Sequence, residues 1–174
     1  VYGGLNFISF KKNSFVKIDN IKEKKIYNNL FKNSLLIWTR DTRSASEVLK
    51  SQKNNFKKNI ENLKKIKSNA DEFYESIKLH KKIDLKKLGN FVNSSWLNKK
   101  KLSNKISIKK VDDIIKNVLK IGCYGSKLLG AGGGGFIIVF GEKKHIKAIK
   151  KKYNNLICLK FDLNTSGSEI ISIV

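Results

Sequence analysis

Five glycines occupy six consecutive positions between residues 130 and 135, and core packing does not explain this composition. Glycine costs about 0.5–1 kcal/mol relative to alanine in regular structure, so such a run indicates positive φ angles or a close neighbour. Successive glycine N–H groups can form a concave nest for phosphate oxygens, and Lys127 stands just before the run as a mobile positive charge. We therefore expect either a phosphate-side ligand loop or a tight turn that lets two segments of the protein approach.

Two familiar nucleotide motifs are excluded by the residues that follow the loop. Residues 130–135 satisfy G-x-G-x-x-G, but that fingerprint binds dinucleotides only where it opens a helix, and the apolar run 136–140 predicts a strand. A Walker A loop needs Lys and then Ser or Thr at the positions that Phe136 and Ile137 occupy. An RNA-recognition module remains an alternative, because residues 135–140 partly match its glycine-aromatic signature.

The formal net charge of +23 is compatible with nucleic acid or an anionic membrane as a partner, but its distribution argues against both. Only Arg40 and Arg43 of the 37 basic residues are arginine, and the lysines run along the whole chain instead of clustering on one element. We interpret the charge as compositional bias on a tolerant surface. The sequence therefore predicts no specific nucleic acid and no membrane as partners.

Cysteine, histidine and apolar patterns limit the remaining classes. Cys123 and Cys158 lack CxxC spacing, so we expect both to pack as small apolar residues in the core. A chain of this size needs no disulfide, which indicates a protein of the reducing cytoplasm. His80 and His145 have no thiol or carboxylate at ligand spacing, so no metal site is expected. No apolar run approaches the ~20 residues of a membrane span.

The hydrophobic pattern predicts an α+β domain in which helices cover one face of an antiparallel sheet, in the manner of a split βαβ unit. A hairpin is expected over 5–18, and a buried strand over 35–38. Ser44-Ala45-Ser46-Glu47 fits a capping box, from which one helix should start. Its apolar core stripe is expected at Val48, Leu49, Phe56, Ile60, Leu63 and Ile66. Further helices are predicted around 70–77, at 85–96 behind an Asp84 cap, at 108–118 and at about 143–152, and further strands from 126, at 136–140, at 156–161 and at 168–174.

Several segments together resemble one family. Ser126 to Phe136 resembles the third conserved motif of the GHMP small-molecule kinases, and its form K-L-L-G-A-G-G-G-G-F is similar to that of the D-glycero-D-manno-heptose 7-phosphate kinases. Residues 2–7, Y-G-G-L-N-F, resemble the stretch that follows the catalytic D-Q pair of that branch. Residues 39–46 are similar to its T-G-x-S/T-R-x-A-S segment, with Arg40 in place of the usual glycine, and residues 167–171 resemble its closing segment.

The resemblance implies the C-terminal portion of a sugar kinase that uses ATP and Mg²⁺ to phosphorylate a sugar or sugar phosphate, usually at the anomeric hydroxyl. It implies that residues 1–18 end the N-terminal domain and that 34–174 form the ferredoxin-like C-terminal domain. The family's phosphate loop and catalytic aspartate would precede Val1, so the partner of this chain would be that N-terminal part. The chain alone is then expected to be inactive, and a non-catalytic remnant of a truncated kinase remains an alternative.

The resemblance also implies a set of site residues, none of them the catalytic base. Those beside phosphate or substrate are Lys127, Gly130, Ala131, Gly132, Gly133, Gly134 and Gly135. Further substrate contacts are expected at Tyr2, Gly3, Gly4, Arg43 and Ser46. For Arg43, the alternative is an ion pair near the start of a helix.

Overall fold

The computed structural model describes residues 2–162 and 167–170. The elements in chain order are β1 (Leu5–Phe10), β2 (Val16–Ile21), α1 (Lys24–Lys32), β3 (Ser34–Trp38), α2 (Ala45–Asn54), α3 (Ile60–His80), α4 (Leu85–Lys101), α5 (Lys109–Lys120), β4 (Gly125–Leu128), β5 (Phe136–Phe140), α6 (Lys143–Lys152) and β6 (Cys158–Leu159). They confirm the predicted α+β class. No helix of the described part is long and apolar enough to cross a membrane.

A four-stranded antiparallel sheet in the order β4-β5-β3-β6 forms the centre of the structure. Its two central strands are continuous apolar runs, and they pair Leu35 with Val139 and Ile37 with Ile137. All four side chains are fully buried in one cluster with residues of α4, α5 and α6. Burial of each such side chain contributes about 1.5–3 kcal/mol, so this cluster fixes the central strands.

The strand β4, which leads into the glycine loop, is held against α4 by contact between backbones. A Cβ on Gly89 would lie 2.3 Å from the carbonyl carbon of Tyr124, and a Cβ on Gly125 would lie 2.5 Å from the Cα of Gly89. The helix begins where predicted, because the Asp84 carboxylate accepts hydrogen bonds from the N–H groups of Lys86 and Lys87, at 2.8 and 3.2 Å. The cap therefore fixes where α4 begins, and the two glycine contacts fix its position along β4.

The predicted hairpin is confirmed, and it packs on the helical layer through its own small cluster. β1 and β2 pair in antiparallel register from Leu5 with Ile21 to Phe10 with Val16. The Phe7 ring stacks on the Tyr74 ring of α3, with centroids 4.1 Å apart and planes 5° from parallel. The hairpin is thus anchored on α3 and does not join the main sheet.

The helix predicted from Ser44 to Ile66 is two helices. α2 ends at Asn54, a 3₁₀ turn covers Lys57–Asn59, and α3 begins at Ile60. The Asn55 amide donates to the Ser51 carbonyl at 3.0 Å, and this side-chain bond competes with the helical backbone pattern. Local hydrogen bonding by asparagine therefore accompanies the break, and apolar periodicity does not report it.

Two details of that prediction are wrong for the same region. Ser44 is the N-cap residue of α2, but its hydroxyl lies 2.7 Å from that of Ser46 and makes no capping bond to the backbone. Leu49, Phe56 and Ile60 were expected in the core stripe, and their exposed fractions are 54%, 56% and 41%. Phe56 and Ile60 lie at the break between α2 and α3, whereas Leu49 lies within α2 beside the buried Val48.

The chain after α6 forms less strand than predicted. The strand expected at 156–161 is reduced to Cys158–Leu159, which pairs with Ile37 and Leu36 of β3. The last strand was expected at 168–174, but residues 168–170 are not in a strand, and 171–174 lie outside the described residues.

Candidate functional site

The glycine loop, residues 130–135, joins β4 to β5, as the strand-loop-strand pattern predicts. A hydrogen bond from the Leu129 N–H to the Phe136 carbonyl, at 2.8 Å, closes the hairpin of β4 and β5 at the base of the loop. Gly130, Gly132, Gly133 and Gly135 have φ angles of +71°, +126°, +81° and +109°. Side chains other than glycine rarely adopt such angles, so the turn itself requires glycine at these positions.

Three of the glycines also lie against other parts of the protein. A Cβ on Gly132 would lie 2.8 Å from the Ile106 Cα. One on Gly133 would lie 2.7 Å from the Arg43 Cδ, and one on Gly134 would lie 2.3 Å from the Asp41 carbonyl oxygen. Close approach within the protein therefore accounts for much of the glycine content, whereas nothing lies within 4 Å of a Cβ at Gly130 or Gly135.

Residues 39–43 form the neighbouring wall of the loop. The Gly135 N–H donates to the Asp41 carbonyl at 2.9 Å and to the Thr39 hydroxyl at 3.1 Å, and the Thr39 N–H donates to the Gly135 carbonyl at 3.0 Å. The Asp41 carboxylate pairs with Lys110 of α5 at 2.8 Å. Arg40 has φ of +62°, a conformation that glycine adopts without strain, and donates to the Asn155 carbonyl at 2.7 Å. The positive φ angle explains why the kinase segment that residues 39–46 resemble usually has glycine at this position.

The carbonyl groups at the start of the loop are held from the helical side. Lys99 Nζ donates to the Gly130 carbonyl, and Gln52 Nε2 donates to the Ala131 carbonyl at 3.2 Å. The Gly133 N–H is used inside the protein, on the Ile106 carbonyl at 2.8 Å. Sequence reasoning did not find Gln52, Lys99, Lys110 or Ile106 as supports of the loop, because no motif marks them and all are distant along the chain.

Lys127 does not lie at the tip of the loop. Its half-buried side chain lines a cavity of about 120 Å³ between α3 and α4, with Asn69, Phe91 and Ser95 among its neighbours. Burial lowers the pKa of Lys127. Burial also lowers the pKa of Lys99, and the positive charge of Lys127 lowers it further. Both ammonium groups are therefore less hydrated than those of surface lysines.

The remaining predicted site residues divide into two places. The Arg43 side chain crosses Gly133 and is exposed, and Arg43 makes no ion pair within the described part of the chain. Ser46, in the first turn of α2, is exposed and contacts the Ser44 hydroxyl. Arg43 and the glycine loop are therefore brought together.

The segment Tyr2 to Gly4 lies with the hairpin instead. The Gly3 carbonyl accepts bonds from Asn6 and Asn20, at 3.0 and 3.3 Å, and a Cβ on Gly4 would lie 3.1 Å from Asn20 Nδ2. Tyr2 is 62% exposed. The contacts of this segment join it to β1 and β2, and the structure does not place it against the glycine loop.

Comparison with known proteins finds matches among the GHMP kinases. Residues 76–156, which include the glycine loop, match the model for the GHMP kinases C terminal. The D-glycero-alpha-D-manno-heptose 7-phosphate kinase of Campylobacter jejuni subsp. jejuni is 30% identical over 158 residues, which are 87% of this chain and 46% of that protein. Residues 76–156 are thus of the GHMP kinase C-terminal type, and most of the chain is similar to a heptose 7-phosphate kinase. The chain spans about half the length of the curated GHMP kinase that it matches.

Solved GHMP kinases have the same fold. A D-glycero-D-manno-heptose 1-phosphate kinase from Bacteriodes thetaiotaomicron matches with a TM-score of 0.66 and 21% identity, over 98% of this chain and 45% of that one. L. major mevalonate kinase in complex with R-mevalonate matches with a TM-score of 0.67 and 19% identity, over 88% and 45%. At these identities the structures support the fold of the GHMP kinase C-terminal part.

Proposed function

We propose that this chain forms the C-terminal part of an ATP-dependent sugar kinase that phosphorylates a heptose phosphate or a related sugar at its anomeric hydroxyl. The substrate class is supported by the 30% identity with a heptose 7-phosphate kinase, which extends over 158 residues. One observation carries the proposal: the fold brings together the two segments that resemble kinase motifs. Arg43 lies across Gly133, and the Asp41 carbonyl accepts a hydrogen bond from the Gly135 N–H.

In this proposal the glycine loop and Arg43 border the transferred phosphoryl group. The N–H groups of Gly132 and Gly134 make no hydrogen bond within the described residues, and the space beside Gly130 and Gly135 is open. N–H groups and a guanidinium stabilise negative charge that develops on phosphoryl oxygens, most strongly where water is excluded. Lys127 acts from behind the loop, by raising the positive potential at its start together with Lys99.

The residues of the loop fit the phosphate groups of ATP, which would supply the phosphoryl group when bound. Mg²⁺ does not fit in the same way, because the described residues contain no cluster of three side chains able to hold a metal ion. Asp41 lies near the loop, but its carboxylate is paired with Lys110. We therefore assign the binding of Mg²⁺, and of most of ATP, to an N-terminal kinase domain, as the family resemblance implies.

The proposed division of the chain follows from the same resemblance. Residues 1–18 would complete the N-terminal domain, and residues 34–174 would form the C-terminal domain. The exposed apolar side chains on the hairpin are compatible with a neighbouring domain there, since Phe10 and Phe15 are 78% and 58% exposed. The chain by itself is then expected to lack kinase activity.

A chimaera tests the substrate and the acceptor atom. We would replace the matching C-terminal half of the Campylobacter jejuni heptose 7-phosphate kinase by this chain and offer D-glycero-D-manno-heptose 7-phosphate, galactose and mevalonate with ATP and Mg²⁺. Phosphorus NMR of the product should show a new phosphate on the anomeric carbon of the heptose. A folded chimaera that phosphorylates mevalonate or galactose instead would overturn the proposed substrate class.

The RNA-binding alternative is less well supported by the structure. Such a module needs exposed aromatic rings for base stacking, whereas Phe140 is 6% exposed. Phe136 is half-buried and its ring lies 4.8 Å from that of Trp38. Fluorescence titration with single-stranded RNA at two salt concentrations would decide the matter, because diffuse lysines predict weak binding that salt abolishes.

A further inference from the structure

A cavity of about 540 Å³ lies between α1, α6 and the residues that follow β6. It lies at the end of β3 remote from the glycine loop. The Gly141 N–H bonds to the Asn33 carbonyl, just before β3 begins, whereas the Gly135 N–H bonds to the Thr39 hydroxyl, just after β3 ends. The cavity is therefore separate from the proposed kinase site, and its volume is typical of small-molecule sites.

The lining of this cavity is strongly positive. Five of its ten residues are lysines and one, Asp162, is acidic, so the formal charge is 5 − 1 = +4. In the whole chain 37 − 2 = 35 of 174 residues are lysine, about one in five, so half of the lining is a clear enrichment. The lysines of the lining are Lys32, Lys143, Lys147, Lys150 and Lys160.

Three of these lysines belong to one face of α6. Lys143, Lys147 and Lys150 are spaced four and three residues apart, so their side chains are neighbours on the helix surface. Like charges at this spacing destabilise a helix, and a bound anion removes that repulsion. Lys150 is half-buried, and its charge lowers the pKa of the Cys158 thiol, which burial raises. Lys150 thus combines partial burial with a place in the cavity lining.

The other part of the lining is apolar. The rings of Phe31 and Phe161 meet edge to face, with centroids 5.0 Å apart and planes at 86°, and both are half-buried. Ile146 of α6 is 5% exposed and also lines the cavity. The cavity thus combines a positive wall with a flat apolar wall, which suits a ligand that has an anionic group and an apolar or ring-shaped body.

We propose that this cavity binds a phosphorylated small molecule. Its phosphate oxygens contact Lys143, Lys147 and Lys150, and its apolar or ring-shaped part packs against Phe31 and Phe161. Ammonium groups bind phosphate as flexible point charges, and three of them on one helix face can adapt to one or two phosphate groups. The proposal does not depend on the kinase function.

Calorimetric titration of the full chain with pyrophosphate and with ADP, at 0.15 M salt, tests the site. The triple variant Lys143→Gln, Lys147→Gln, Lys150→Gln should weaken the binding of both probes by about 10- to 140-fold, since three exposed ion pairs of about 0.5–1 kcal/mol each sum to about 1.5–3 kcal/mol. The matched control Lys53→Gln, Lys116→Gln, Lys120→Gln removes the same charge from exposed positions on α2 and α5. It should weaken binding less than about threefold, because none of these three lysines lines the cavity.

A single aromatic variant separates the two walls. Phe161→Leu should weaken ADP about fivefold and leave pyrophosphate unchanged, because only ADP has a ring to place against the apolar wall. In the unaltered chain, pyrophosphate should shift the amide NMR signals of α6 and not those of α5. This measurement keeps the test valid if the triple variant does not fold.

Three results would overturn the proposal. The first is equal weakening by both triple variants, which would indicate attraction by net charge alone. The second is no saturable binding of either probe in the millimolar range. The third is single-stranded RNA that binds more tightly than ADP and is weakened equally by both triple variants, which would indicate a diffuse nucleic-acid surface.

Discussion

Gly134 provides a direct test of the contact between the glycine loop and residues 39–43. A Cβ at this position would lie 2.3 Å from the Asp41 carbonyl oxygen and 2.7 Å from its carbon. Real Cβ atoms essentially never approach closer than 3.0 Å, so in Gly134→Ala the backbone must move by at least 3.0 − 2.3 = 0.7 Å. The loop cannot move alone, because the neighbouring Gly135 is bonded to Asp41 and Thr39.

The expected loss of stability follows from these contacts. Overpacking costs about 1–3 kcal/mol, and weakening of the bonds of Gly135 adds about 1–2 kcal/mol. Alanine regains about 0.4–1 kcal/mol by restricting the unfolded chain. The free energy of unfolding should therefore fall by about 1–4.5 kcal/mol, which lowers the Tm by about 2–18 °C for a chain of this length.

Gly130→Ala is the matched control for the assay, which is thermal unfolding followed by circular dichroism. Gly130 has φ of +71° and no atom near its Cβ position, so alanine there meets backbone strain of about 1–2 kcal/mol without a clash. Alanine at this position also restricts the unfolded chain, which offsets part of that strain. The Tm of Gly130→Ala should therefore fall much less than that of Gly134→Ala. Equal Tm values for the two variants would show that the loop does not touch residue 41, and would refute the description of the site.

Three further predictions concern single positions. Arg40→Gly should be about 1 kcal/mol more stable than Arg40→Ala in urea unfolding. Both variants lose the bond to the Asn155 carbonyl, but only glycine adopts the φ of +62° without strain, so a less stable Arg40→Gly would contradict this explanation. Burial lowers the pKa of Lys127 below 10.5, so the protonated side chain lowers the free energy of unfolding. The full penalty is present at pH values below the lowered pKa, and it disappears as the pH rises from there toward 10.5. Lys127→Met should therefore raise the Tm at pH 7 and raise it less in alkaline buffer, whereas a gain that is constant with pH would exclude the charge as its cause. Burial raises the pKa of Cys123 to about 11, so a thiol reagent at pH 8 should label Cys158 in the folded chain and Cys123 only on unfolding; equal labelling rates would show that the Cys123 site is open.

The sequence predicts best the elements that local rules determine. β3 and β5 are short apolar runs between polar residues, α4 begins at the capping Asp84, and the apolar residues of α5 recur at helical spacing ahead of Gly122, which has φ of +103°. Each of these signals lies within a few residues along the chain. All of these elements are present in the structure.

The sequence predicts least well what depends on distant parts of the chain. Asn55 follows the last residue of α2 and bonds to Ser51 through its side chain, and apolar spacing cannot show this bond. The reasons for glycine at 132, 133 and 134 lie at Ile106, Arg43 and Asp41, which only the fold brings together. The sequence thus locates the loop correctly, but it cannot separate the glycines that pack against the protein from those beside open space.

The most direct test of the central claim is a comparison of ATP-dependent phosphorylation of D-glycero-D-manno-heptose 7-phosphate by the chain alone and by the chimaera with the N-terminal half of the Campylobacter jejuni kinase. We predict no turnover by the chain alone and turnover by the chimaera that falls at least tenfold in Arg43→Ala, since a charged hydrogen bond contributes about 1.5–3 kcal/mol. Robust sugar phosphorylation by the chain alone, or a folded chimaera whose activity does not respond to Arg43→Ala, would contradict the account.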